Sequence, residues 1–187
     1  MTAATVQTSG LPSVYRGNIL IEACGPILSR AEILKQLLYL PPLPPKDVQE
    51  SMVEHHLMDV LRMHIPTPEG IRLAQSIDLM IRQGYVHRRP TEATTWRRIY
   101  EPCSEDYAQA AVQLGGTVGG LSGVGKSTAI ERALSLFPQV VRHPKFPGLM
   151  NEVRQLVWLK VDVPPSGTLS DLVKCLAEAP DVALGED

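Results

Sequence analysis

Between Gly120 and Ser127 the chain reads Gly-Leu-Ser-Gly-Val-Gly-Lys-Ser, a match to G-x-x-x-x-G-K-[ST] at every fixed position. These residue types at this spacing suit one kind of chemistry, the grip of a polyphosphate. A triphosphate needs several donors aimed inward at once. Main-chain N–H groups of a curled loop supply them, and the glycines permit positive φ angles and close approach. A helix starting near Lys126 adds its N-terminal dipole and free N–H groups. Lys126 supplies a point charge for the β- and γ-phosphates, Ser127 a hydroxyl ligand for Mg²⁺, and Thr128 an amide for the α-phosphate. The expected binding set is Gly120, Leu121, Ser122, Gly123, Val124, Gly125, Lys126, Ser127 and Thr128, with ATP and Mg²⁺ as cofactors and Ser127 as the metal ligand.

Hydrolysis asks for more: an acid at the end of a buried strand to hold Mg²⁺, and a group to orient water. Asp162, after Val157-Trp158-Leu159-Lys160-Val161, is a superficial candidate. Its simpler reading is a strand-end residue capping a turn, so no catalytic residue is assigned. Arg88-Arg89 and Arg97-Arg98, with Trp96 and Tyr100 nearby, form two basic pairs that could hold a phosphate backbone. A solvated helix face is the plainer reading. His55, His56 and His64 form no ligand set at metal spacing. Cys24, Cys103 and Cys175 lie far apart, which excludes a disulfide framework and fits a reducing cytosol. Cys175 reads as a small buried apolar residue.

The elements that must position this loop follow from caps and periodicity. Residues 1–13 read as a polar tail, and 14–112 as a helical N-terminal region. Ser29 and Glu32 have capping-box spacing ahead of Ile33, Leu34, Leu37 and Leu38 on one face. The prolines from Pro41 to Pro45 end that helix in a stiff connector. A second helix is expected over about 46–63, burying Met52, Val53, Leu57, Val60 and Leu61. Thr67 and Pro68 start a third, with Ile71, Ala74, Ile77, Met80 and Ile81 at helical spacing and Gly84 as its stop. Thr91 caps a fourth through Trp96 and Ile99.

Residues 113–179 then read as a partial nucleotide-binding domain, followed by a tail over 180–187. Thr117–Leu121 is predicted as a short strand and Thr128–Phe137 as a helix. Leu156–Val161 is predicted as a buried strand of a parallel sheet, and Leu169–Ala179 as a helix begun by Thr168. Strand, phosphate loop, helix, strand, helix predicts an α/β P-loop domain. Composition agrees with a soluble chain: 187 residues, 44% hydrophobic, 20% charged, net charge −2. No global field draws it to nucleic acid, no apolar run approaches a bilayer span, and the start lacks a secretory signal. A cytoplasmic location is expected.

From Tyr15 to Asp162 the chain resembles the front part of the TnsC/TniB family of transposition ATPases, a branch of the AAA+ proteins. Tyr15-Arg16-Gly17-Asn18, Leu20-Ile21-Glu22-Ala23, Pro26-Ile27-Leu28 and Ile81-Arg82-Gln83-Gly84-Tyr85-Val86 carry the resemblance. So do Gly123 to Thr128, Glu131-Arg132, Leu134-Ser135-Leu136, Phe137 to His143 and Gln155 to Asp162. The resemblance implies an ATP-controlled assembly factor that bridges a transposase and a target-selection partner. It forms homo-oligomers, and DNA is a further partner. By that resemblance Val157–Val161 is the second strand, which argues against Asp162 as the metal acid. The chain ends ahead of the family's metal-site acids, sensor and arginine finger. A truncated copy with doubtful hydrolysis is therefore expected. Two rivals stand beside this reading: a non-catalytic helical interaction module with a vestigial P-loop, and a small P-loop kinase.

Overall fold

Local capping chemistry decides where the helices begin. In the computed structural model, which describes residues 11–100, 114–145 and 152–185, α1 spans Ile19–Glu22, with Asn18 accepting the Leu20 amide. Helix α2 (Arg30–Leu37) opens on a complete capping box. Ser29 Oγ accepts the Glu32 amide at 3.3 Å, and Glu32 Oε2 accepts the Ser29 amide at 2.7 Å. Helix α3 (Glu50–Met58) has no side-chain cap and runs into a 3-10 turn, Asp59–Arg62. Helix α4 (Pro68–Tyr85) starts on Thr67, whose hydroxyl accepts the Gly70 amide at 3.1 Å. Helices α5 (Ala93–Tyr100), α6 (Lys126–Leu134) and α7 (Leu169–Leu184) complete the helical set among the described residues.

The sheet is small. Strand β1 (Val140–His143) pairs antiparallel with β2 (Val153–Leu156), in the register Val140↔Leu156 to His143↔Val153. The chain is thus α/β, with seven α-helices and one two-stranded antiparallel sheet among the described residues.

Two compact units divide the described fold. The first combines the N-terminal segment to Pro26, Asp78–Thr117 and Phe137 onward; the second combines Ile27–Ile77 and Val118–Leu136. The first unit buries Tyr15, Leu20, Ile21, Cys24, Tyr85, Phe137 and Val157, together with the polar Asn18, Arg82, His143 and Gln155. The second buries Ile33, Leu37, Ala74, Ile77 and Ala133.

Several expectations need correcting. Thr117–Leu121 forms no strand: glycine weakens an extended ladder, and this stretch is exposed along its length. The parallel pairing expected of Leu156–Val161 is replaced by an antiparallel hairpin ending at Leu156; beyond it only the Val157 amide continues the ladder, to the Gln139 carbonyl at 2.8 Å. Helix α3 buries none of Met52, Val53 and Leu57, and Val60 and Leu61 in the adjoining turn are exposed too. In α2, Ile33 and Leu37 are buried while Leu34 and Leu38 stay largely exposed. The fourth helix starts at Ala93 rather than at a Thr91 cap, with Thr95 Oγ1 accepting the Arg89 amide instead. Helix α6 begins at Lys126 and stops at Leu134, short of Phe137.

The final helix passes through Pro180 to Leu184 and ends on Gly185 in the left-handed region, φ 69°. A mid-helix proline forfeits one hydrogen bond at a cost of about 3 kcal/mol. The good cap at Thr168 and the αL stop at Gly185 lie on either side of it, and the helix bridges the two. No described helix is long and apolar enough to cross a membrane.

Candidate phosphate-binding loop

The loop from Gly120 to Gly125 lies in the second unit and is exposed throughout. Gly123 and Gly125 take φ angles of 81° and 83°, conformations that an L side chain resists, so these two glycines set the curl. Gly120 matters for space. A Cβ there would meet Val124 Cγ2 at 3.3 Å and Lys126 Cδ at 3.7 Å, so the loop folds back on its own start.

Lys126 closes the ring. Its Nζ donates to the carbonyls of Gly120 at 3.0 Å and Leu121 at 2.7 Å. The ammonium therefore hangs over the loop, with two of its three donors used. Gly125 forms the N-cap of α6 in the left-handed region and provides no side-chain cap. The first turn of any helix leaves N–H groups without intrahelical acceptors. Here those groups, a cation and a glycine curl coincide, an arrangement chemically suited to an anion. Ser127 and Thr128 are exposed on the first turn of α6. The nine residues from Gly120 to Thr128 thus lie together along one continuous curl.

The remaining sequence candidates fall elsewhere. Asp162 is exposed in an irregular stretch of the first unit and lines a shallow groove with Lys160, Cys175 and Glu178. His55 and His56 are exposed on α3. Among the described residues no group of three His, Cys, Asp or Glu side chains could hold a metal ion. Arg89 donates to the Val14 carbonyl at 3.1 Å and pairs with Glu92 at 3.7 Å, while Arg88 and Tyr100 are exposed. Trp96 Nε1 donates to the Pro90 carbonyl at 2.7 Å, so its polar edge is committed internally. Cys24 is buried, and burial pushes its thiol up from the ordinary range. Cys175 is only half-buried, where full burial was expected, and Cys103 lies outside the described residues.

Segments far apart in the sequence meet in the first unit through polar contacts. Asn18 Nδ2 donates to the Tyr85 carbonyl at 2.7 Å, and Gln83 Nε2 to Tyr15 Oη at 2.7 Å. Arg82 reaches the Ile21, Gly25 and Pro26 carbonyls at 3.2, 3.0 and 3.3 Å, while its Nε pairs with Asp78 at 2.8 Å. Gln155 Nε2 donates to the Leu20 carbonyl at 2.9 Å, so its Oε1 accepts from His143 Nε2–H at 2.8 Å. Tyr85 Oη donates to the Leu156 carbonyl at 2.9 Å. None of these partnerships was anticipated from sequence. One trace was visible: Asp78 and Arg82 stand at i,i+4 with the acid N-terminal, the favourable order for a helix pair.

Comparison with known proteins adds no relative: neither a protein-family model nor a curated protein matches the chain.

Proposed function

We propose that this chain binds Mg²⁺–ATP at Gly120–Thr128 and acts as an ATP-controlled regulator of DNA transposition, bridging a transposase and a target-selection partner. One observation carries the nucleotide part. Lys126 and the positive-φ glycines close a loop of main-chain amides directly onto an uncapped helix start. Ser127, one residue into that helix, is the hydroxyl offered to Mg²⁺. The transposition part rests on the resemblance of Tyr15–Asp162 to the TnsC/TniB ATPases. It also implies an N-terminal helical region ahead of a partial AAA+-like P-loop sheet, but the described sheet is the antiparallel β1–β2 pair, so the proposal rests on the loop and not on that sheet.

Calorimetry tests the site. Mg²⁺–ATP is expected to bind the wild-type chain, and Lys126→Ala to abolish the heat of binding. Equal affinity in the two proteins sinks the assignment. ATP-dependent co-precipitation of a transposase tests the role. A second reading, a docking module with an idle loop, is favoured by one observation: α3 leaves Met52, Val53, Leu57 and Met58 between 41% and 59% exposed. It calls for transposase capture that ignores ATP and survives Lys126→Ala.

A further inference from the structure

Helix α6 is the only regular element adjoining the loop among the described residues, because no strand leads into Gly120. Whatever orients α6 therefore orients the loop. The helix has nine residues, about 13 Å of rise. The loop sits at its N-terminus, and its last turn is held within the second unit. Ala133 is fully buried. Arg132 Nη2 donates to the Arg62 carbonyl in a long 3.5 Å contact.

The acceptor stands on a braced support. Arg62 pairs with Asp59 at 3.4 Å and lies 5.5 Å from the centre of the Tyr39 ring. Tyr39 Oη donates to Asp59 at 3.3 Å. Tyr39 and His64 exchange both main-chain hydrogen bonds at 2.9 Å. The main-chain exchange between Tyr39 and His64 is the firmest of these contacts, and it lies two residues from the acceptor.

We propose that Arg132 is a positioning residue for the phosphate loop: held on the Arg62 carbonyl, it fixes the far end of α6 and thereby sets the nucleotide affinity at the near end. The inference rests on the nucleotide-binding reading and extends it to the regulation of that site. His64 makes the anchor sensitive to protons. Burial and then the Arg132 charge favour its neutral form. The charged groups of the packed elements are Lys126, Glu131 and Arg132 on α6 and Arg62 and Asp59 in the 3-10 turn. Protonating His64 adds a cation close to Arg132 and drives the guanidinium off its carbonyl.

Titration of the full chain with fluorescent mant-ATP and Mg²⁺ tests this, using wild type, Arg132→Gln, Arg132→Lys and His64→Gln. Arg132→Gln is expected to bind about three- to tenfold more weakly, the effect of losing one ordinary hydrogen bond of about 0.7–1.4 kcal/mol, since the contact is long and exposed. Arg132→Lys retains most of the affinity. Between about pH 7.5 and pH 5.5, across the imidazole range, wild type loses more affinity than either His64→Gln or Arg132→Gln. A merely structural arginine would not remove that difference. Arg132→Gln binding as tightly as wild type at both pH values overturns this inference alone. Absence of mant-ATP binding by the wild type overturns it together with the nucleotide reading. Should Arg132→Gln fold poorly, Arg132→Lys and the pH slope of His64→Gln decide: equal slopes in His64→Gln and wild type overturn the anchor.

Discussion

Replacing Arg82 by Met should unpin the N-terminal segment from α4 while keeping most of the side-chain volume. The guanidinium is 1% exposed and uses three of its nitrogens: Nε on Asp78, Nη1 on Ile21, Nη2 on Gly25 and Pro26. The losses are unequal. The Ile21 carbonyl keeps the Cys24 amide as a donor at 3.1 Å, and the Gly25 and Pro26 carbonyls are near enough to solvent to be rehydrated. The Asp78 carboxylate, 18% exposed, is left without its counter-charge. Breaking a buried pair from one side costs about 3–5 kcal/mol, and the partial rehydration places this case near the lower figure, about 3 kcal/mol. With an m-value of about 2 kcal/mol/M, the urea midpoint falls by about 1.5 M. Both tryptophans of the chain, Trp96 and Trp158, belong to this unit, so fluorescence reports on it directly. Asp78→Asn strands the cation instead, and the double variant should lose less than the sum of the singles. Arg82→Lys recovers only part, because one ammonium cannot span the three carbonyls and the carboxylate. A loss below about 1 kcal/mol for Arg82→Met, or strict additivity with Asp78→Asn, would refute the pin.

Gly125→Ala forces a Cβ onto a φ of 83° at the start of α6, so it should weaken ATP binding in calorimetry while leaving the tryptophan-monitored unfolding of the first unit unchanged. Cys175 should react with a thiol reagent in the native chain, whereas Cys24, 3% exposed with its thiol pushed up by burial, should react only on unfolding; mass spectrometry of alkylated peptides distinguishes them. His64 has a lowered folded pKa, chiefly from burial. Its contribution to stability is therefore complete above the ordinary imidazole value near 6.5 and is lost as pH falls below it, so His64→Gln should flatten the acid side of the stability profile measured by urea titration.

The parts of the fold that sequence made legible are those with local causes. Ser29 with Glu32, Thr67 with Pro68, and Thr168 each satisfy helix amides within a few residues, and each helix starts where its cap stands. The glycine spacing of the loop is likewise a local property, and its positive φ angles appear at Gly123 and Gly125. What could not be read are choices made by distant partners. Asn18 meets Tyr85 across 67 positions, Arg82 meets Ile21 across 61, and Gln155 meets Leu20 across 135. Strand pairing failed for the same reason: Leu156–Val161 has the composition of a buried strand, but composition does not specify the neighbour or its direction. Helix α3 shows the converse failure. Its apolar spacing is real, yet its apolar residues stay between 41% and 59% exposed, and amphipathicity alone does not bury a face.

The residues singled out above therefore divide by physical task. Tyr15, Asn18, Ile21, Arg82, Gln83, Tyr85, His143 and Gln155 are engaged with one another through side-chain and carbonyl contacts in the first unit; the polar side chains among them make buried or part-buried hydrogen bonds, and substituting them should cost stability first. Gly123, Gly125 and Lys126 bury almost nothing and stabilise little beyond their own curl. Positive φ at Gly123 and Gly125 sets the curl and Lys126 on two carbonyls holds it, so substitutions here should alter the loop before they alter the core. That contrast, rather than the match to a pattern, is why the loop merits the binding assay and the network merits the denaturation experiment.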